Sequence, residues 1–365
     1  MRILVAGQLV EDIDQYNRIH EMMSFFVAPD SRTNDAAEAF GGYEEKHNYA
    51  GYTVANYQGI GWGESLTVLF TPLSGLLMQS KMIPLRYAPV TIELELVDSY
   101  TDPVFTGYTI NPRDAAVALT GADISVGLSA IQWQIMNVQV KTDVCVLDNA
   151  LDNSYAQHLL SGKSLPISYN TFVSQLQTIA NQSSPLINVS RALTRLKTVF
   201  VTLQKDYTVA NNRNNLLGRK TWNEFYSPMS IYNADGTYSN VSEGEFEAQL
   251  QIGSKLFPEY PIRSHNECYY QLKKTLGVQA SSVHNFNINP IEYRDYKFIW
   301  ATDCEKVLDA AFTGINTRAG DLMSIRFEFQ NKSINGQNFV GARFHIVSHS
   351  DQIMEIRDSG VQVLD

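Results

Sequence analysis

Apolar and polar residues alternate one by one through many short stretches of this chain. That period suits strands with one dry face and one wet face. In "VTIELELV", Val90, Ile92, Leu94 and Leu96 share one side, while Thr91, Glu93 and Glu95 share the other. In "NVQVKTDVCVL", Val138, Val140, Val144 and Val146 oppose Asn137, Gln139, Lys141 and Asp143. The pattern returns in "SLTVLFT" (apolar members over 66–71), "TVFVTLQ" (198–204), "SIRFEFQ" (324–330), "ARFHIVSH" and "QIMEI". Segments 90–97 and 138–147 are therefore expected to be sandwich core. Half-buried strands of this kind pair antiparallel and stack as sandwiches. The 19 Tyr and 17 Phe suit the same pleated surfaces.

Helical spacing is rarer and brief. "DIDQYNRIHEMMSFF" sets Ile13, Tyr16, Ile19, Met22 and Met23 on one stripe, with Asp12 as a possible cap. "SHNECYYQLKKTLG" runs from Ser264 through Glu267, in capping-box position, to a Gly277 stop. "DCEKVLDAAFTG", closed by Gly314, and "DNALDNSYAQHLLSG" read as two more short helices. Asn335-Gly336 between two strand patterns is a hairpin signal, and the polar 226–245 stretch with Asp235-Gly236 is a long loop.

A length of 365 residues suggests about two domains and a core that needs no staples. Only 18% of residues are charged, and the formal net charge is -10. That balance argues against a cationic stripe tracking phosphates, so sequence-specific nucleic-acid binding is not expected. Cys145, Cys268 and Cys304 are far apart and odd in number, which reads as reduced thiols and not a disulfide framework. The opening "MRILVAGQLVEDIDQ" turns polar too soon for a signal peptide, and no apolar run is long enough to span a membrane.

Each hint of chemistry weakens on inspection. Gly162-Lys163-Ser164 ends like a phosphate-binding loop, but that loop needs a glycine where Gln157 stands. The order here is helix, loop, strand, so Gly162 reads as a helix C-cap. "IHEM" has Ser24 where a zinc-protease motif needs its second histidine. His345, His349 and Asp351 resemble a metal cluster, yet on one strand the two histidines stand roughly 13 Å apart. They read instead as exposed or interface side chains. Glu93 and Glu95 read as a solvated strand face, and Asp303, Glu305 and Glu355 add carboxylates without a motif. No catalytic, cofactor-binding or metal-ligating residue is assigned, and no enzyme is expected.

Long phrases nonetheless resemble one family. "GQLVEDIDQYNRIHEMM" (7–23), "PLSGLLMQSKMIPLRYAPVTIELEL" (72–96) and "WQIMNVQVKTDVCVLDNALDNSYAQHLLSGKSLPISYNT" (133–171) are similar to segments of the double jelly-roll major capsid proteins of double-stranded DNA viruses. So are "RALTRLKTVFVTL" (191–203), "IGSKLFPEYPIRSHNECYYQLKKTLG" (252–277), "INTRAGDLMSIRFEF" (315–329) and "HSDQIMEIRDSGVQVLD" (349–365). The likeness is nearest to the polinton-like and virophage-like branch. It implies an all-β chain of two tandem antiparallel eight-stranded jelly rolls with short helices in the loops. The first roll would span 1–150, a linker helix 151–164, and the second roll 165–365. Several family strands ordinarily precede the "GQLVED" stretch, so the first roll is expected to lack its opening strands.

The resemblance also implies what such a chain does. It would be a structural subunit whose homotrimers form pseudo-hexameric capsomers and tile an icosahedral shell around double-stranded DNA. Its partners would be itself, neighbouring trimers, a single jelly-roll penton protein and minor capsid proteins, with a place in the virion. The 226–245 loop would be an outward tower or an inter-subunit loop, and "IRDSGVQVLD" would finish the second roll or brace a neighbour. Two rivals stay open. A carbohydrate-binding β-sandwich would be a compact monomer with a Trp-lined groove. A cupin-like metalloenzyme would converge its histidines on a metal.

Overall fold

The computed structural model describes residues 1–27, 65, 67–96, 134–179, 184–205, 225, 227, 246–277, 288–295, 297–305, 312–318, 322–329 and 342–364. Its architecture is all-β and antiparallel, as expected, with short helices at the periphery.

The long phased strands of the second half build a sandwich. One sheet contains β4 (Leu165–Ile179), β11 (Ala342–Arg357), β6 (Leu196–Lys205) and β9 (Ile299–Asp303) in that order. β12 (Gly360–Leu364) extends it by folding back on the end of β11. The C-terminal phrase therefore packs onto the chain's own sheet. The other sheet orders β5 (Leu186–Val189), β10 (Met323–Phe329), β7 (Phe246–Ile252) and β8 (Lys255–Ile262). Numbered one to eight along the chain from β4 to β11, the strands run 1-8-3-6 in one sheet and 2-7-4-5 in the other. That is the order of two interlocked Greek keys, a jelly roll.

The two sheets meet through large side chains. Phe327 of β10 packs edge-on against Trp300 of β9 and tilts against Phe344 of β11, at centroid distances of 5.6 and 5.4 Å. Phe246 of β7 meets Phe298 edge-on at 5.7 Å. Each of these side chains is fully enclosed. Aromatic pairs contribute about 0.5–1.5 kcal/mol beyond the area they bury.

The first half begins with β1 (Arg2–Val5), β2 (Gln8–Asp12) and β3 (Val90–Glu93), which form a three-stranded sheet in the order β2-β1-β3. Helix α1 (Tyr16–Ser24) follows β2 and lies on the outer face of the β4-β11-β6-β9 sheet. Sheet β4-β11-β6-β9 is thus covered on both sides, which explains buried Thr198, Thr202 and Gln204 on strands that alternate in sequence.

Several expectations need correction. α1 starts at Tyr16 with Gln15 as its N-cap, in a left-handed conformation without a side-chain cap. Asp12 belongs to β2, where its carboxylate pairs with Arg2 at 3.3 Å. Residues 67–71 and 138–147 form no strand assigned among the described residues, and β3 stops at Glu93. Val138, Val140, Val144 and Val146 are exposed, as are Leu94 and Leu96, so these positions are not core. Alternation records two faces; it does not supply a neighbouring strand. The described strands on either side of Asn335-Gly336, β10 and β11, lie in different sheets and do not pair with each other. The turn itself, the bulk of the 226–245 loop and the centre of the "DCEKVLDAAFTG" segment lie outside the described residues.

Other local readings hold. α3 (Asn149–Leu160) begins where the Asp148 carboxylate accepts the Leu151 N–H at 2.7 Å. It ends with Gly162 at φ 78, a left-handed position that needs glycine. α4 (His265–Thr275) is capped by Ser264, whose hydroxyl accepts the Glu267 N–H at 3.1 Å. The Glu267 carboxylate reaches back to the Arg263 N–H, one residue earlier than a capping box requires. α2 (Gly75–Met78) and α5 (Pro290–Asp295) complete the helices described.

Candidate functional site

The residues singled out for chemistry separate: some are exposed, such as Lys163 and Glu93, and others fall into distinct buried clusters. The GKS tripeptide sits at the end of α3 before β4, so the helix-loop-strand order stands. His20 lies on α1 among rings, 5.9 Å from Tyr16 and 5.7 Å from Phe70.

His345 and His349 are not exposed, contrary to expectation. His345 is buried beneath α1, with Nε2 3.1 Å from the Gln204 side-chain oxygen. Burial, with the Arg18 and Arg343 charges, pulls its pKa down to about 2. His349 is half-buried and stacks on Phe172 at 4.9 Å. Burial and the Lys197 charge lower its pKa to about 4. A second layer on the sheet made both side chains internal, and strand period alone carries no sign of that layer. Asp351 instead joins an ionic cluster. Lys197 Nζ lies 2.9 Å from Glu305 and 3.9 Å from Asp351, all three being largely enclosed. The other Asp351 oxygen accepts the Phe312 N–H at 3.0 Å. The Asp303 carboxylate accepts the Glu305 N–H at 2.8 Å. Sequence had offered Asp303 and Glu305 as carboxylates without a motif and Asp351 beside the two histidines; Lys197, which pairs with Glu305 and Asp351, carried no motif.

Two further groups were missed. Arg18 is buried on α1, where its Nε donates to Thr202 Oγ1 and a terminal nitrogen to the Leu203 carbonyl, each at 2.9 Å. Its guanidinium stacks 4.3 Å from the centre of the Phe225 ring. Glu11 on β2 accepts from the Ser74 hydroxyl and, at 3.0 Å, from the Gly75 N–H. Burial raises its pKa, opposed by these bonds. Both fasten the leading segment to the rest of the chain. An arginine at i+5 from an apolar helix position would have been legible only as a break in the stripe.

These arrangements hold no nucleophile beside a base. The Cys268 and Cys304 thiols are buried, and burial raises the pKa of each. Among the described residues no group of three or more His, Cys, Asp and Glu could hold a metal ion. No helix among them is long and apolar enough to cross a membrane. Trp300 is fully enclosed and cannot line a sugar groove.

The outward surfaces suit contact more than chemistry. The outer face of the β5-β10-β7-β8 sheet is polar, with Arg326–Glu328 at 2.7 Å and Arg263–Glu247 at 3.0 Å. Leu186 on edge strand β5, and Leu256 and Tyr260 on edge strand β8, are exposed. Leu151 and Leu160 on α3 are exposed as well.

No protein-family model matches the chain, and no curated protein matches it. Solved structures do. A crystal structure of PBCV-1 VP54 fitted into a cryo-EM reconstruction of the virophage Sputnik is similar over 100% of this chain and 82% of that one, with a TM-score of 0.53 and 9% identity. A quasi-atomic model of the PBCV-1 virus capsid gives a TM-score of 0.49 at 9% identity over the same shares. The Faustovirus major capsid protein matches 56% of this chain and 36% of its own, with a TM-score of 0.35 and 8% identity. At these identities the likeness to VP54 is one of fold.

Proposed function

We propose that this chain is the major structural subunit of a viral shell. The observation that carries the reading is the jelly-roll strand order of residues 165–357, set within a fold similar to VP54 from end to end. A sandwich of this kind gives a rigid block whose edges and loops are free to meet neighbours. The chain divides into a first roll over 1–150, a linker over 151–164 that carries most of α3, and a second roll over 165–365. Three copies side by side present six rolls in a pseudo-hexameric outline, and such units tile an icosahedral shell around double-stranded DNA.

The protein acts through contact, and among the described residues no group of three or more His, Cys, Asp and Glu could hold a metal ion. Its partners are further copies of itself, then a single jelly-roll penton protein and minor capsid proteins. Exposed apolar positions on α3 and the edge strands β5 and β8 supply contact area, and obligate interfaces of this sort bury about 2,000–5,000 Å². The net charge of -10 leaves DNA to counterions or other proteins. The branch to which the sequence is nearest is the polinton-like and virophage-like one.

Light scattering coupled to sizing tests the proposal. A trimer near three times 41.0 kDa is expected, going on to sheets or shells as concentration rises. A stable monomer under all assembly conditions, or turnover of a substrate, overturns it.

A further inference from the structure

The joint between α1 and the sheet beneath it contains a feature that shell building does not require. Helix α1 covers β11, β6 and β4 over a small cleft lined by Gln15, Arg18, Ile19, Met22, Thr202 and His345. Most of the polar bonds across this joint are made by few groups. Arg18 donates to Thr202 and Leu203, and Ser174 Oγ donates to the Asp14 carbonyl at 2.7 Å. Thr202 is the cross-strand partner of His345, so the Arg18 guanidinium and the imidazole share one buried site.

We propose that α1 is an acid-released clasp: in mildly acidic solution His345 takes a proton only when α1 lifts, and that proton holds the joint open. The charges around the joint give the sign. Arg18 on α1 and Arg343 on β11 both oppose an imidazolium at 345. Glu21 is the buried acid of α1, one turn from Arg18, and is not among the groups that move the His345 pKa. On β6 and beyond, Lys197 opposes a charge on His349, while Glu305 and Asp351 pair with that lysine and Asp303 accepts the Glu305 N–H.

His345 is neutral while the joint is closed; lifting α1 removes its cover and the Arg18 charge, so its pKa rises toward the ordinary value of 6.5. Each pH unit below that value therefore multiplies the open-to-closed ratio about tenfold, or about 100-fold at pH 4.5. Stability of the joint is complete above 6.5 and falls as pH falls. The inference does not rest on the assembly reading, since the joint lies within one chain.

Hydrogen exchange of the full chain, expressed as protection factors between pH 7.5 and 4.5, tests it. Protection over residues 16–24 is expected to fall about tenfold per pH unit below 6, while β10 keeps its protection. His345→Gln, neutral at every pH and able to donate to Gln204, is expected to remove that fall; His349→Gln is expected to leave it. Equal loss in the parent and His345→Gln, or unchanged protection in the parent, overturns the clasp. If His345→Gln does not fold, the ring resonance of His345 in the parent decides. A ring that titrates near 6.5 while α1 stays protected overturns it, and one that titrates only as protection is lost supports it.

Discussion

At the scale of single residues, the joints of this molecule are set by places where one atom more or one charge less has no room. An ideal Cβ on Gly75 would lie 1.4 Å from the Asn170 carbonyl oxygen, because the start of α2 touches the backbone of edge strand β4. Gly75→Ala must therefore push α2 away from β4 and strain the Glu11 contacts to Ser74 and Gly75. A loss of about 1–3 kcal/mol or more is expected in urea unfolding, since backbone cannot yield as a side chain can. Lys197 poses the opposite problem. Lys197→Met leaves Glu305 and Asp351 enclosed without their shared cation, and a loss of about 3–5 kcal/mol is expected by the same measurement. Raising salt would leave most of that loss in place, because an enclosed cluster is weakly screened.

At the scale of elements, helix ends and strand pairings were each legible only in part. Ser264 caps α4 as its sequence predicts, since a cap is a bond between residues three apart, whereas Asp12 does not cap α1 and the Asp148 cap of α3 was not singled out. Ser264→Ala is expected to cost about 1 kcal/mol in the same unfolding measurement, with exchange rising first at the start of α4. β6, β10 and β11 fell where alternation placed them, because two packed sheets give that alternation a dry side. The valine row at 138–147 alternates as cleanly and is exposed. Alternation is a local property, while a strand needs an edge contributed from elsewhere in the chain. The buried clusters were less legible still. His345 and Arg18 are 327 positions apart in the chain, and only the docking of α1 brings them into one site.

At the scale of the whole molecule, the question is whether the leading segment and the sandwich are one cooperative body. The described contacts say that they share a core. Phe25, just past α1, meets Phe225 edge-on at 5.1 Å, Phe26 tilts against Phe200 of β6 at 5.7 Å, and the Tyr169 hydroxyl on β4 donates to the Val10 carbonyl at 3.1 Å. Arg18 sits at the centre of this seam. Arg18→Met removes two charge-assisted bonds and a cation–π contact, for an expected loss of about 2–3 kcal/mol. Phe327→Ala, deep between the two sheets, is expected to cost about 3–5 kcal/mol. If the chain unfolds as one body, both substitutions shift the same single transition, seen alike by tyrosine fluorescence and by exchange in β10. If α1 were only laid on a sandwich that stands alone, Arg18→Met would loosen residues 16–24 and leave the β10 transition where it was. At pH 7.5 the clasp is closed and the single transition is expected. Below pH 6 the opening of α1 should separate the two, so that Arg18→Met loses its effect on β10 while Phe327→Ala keeps its own.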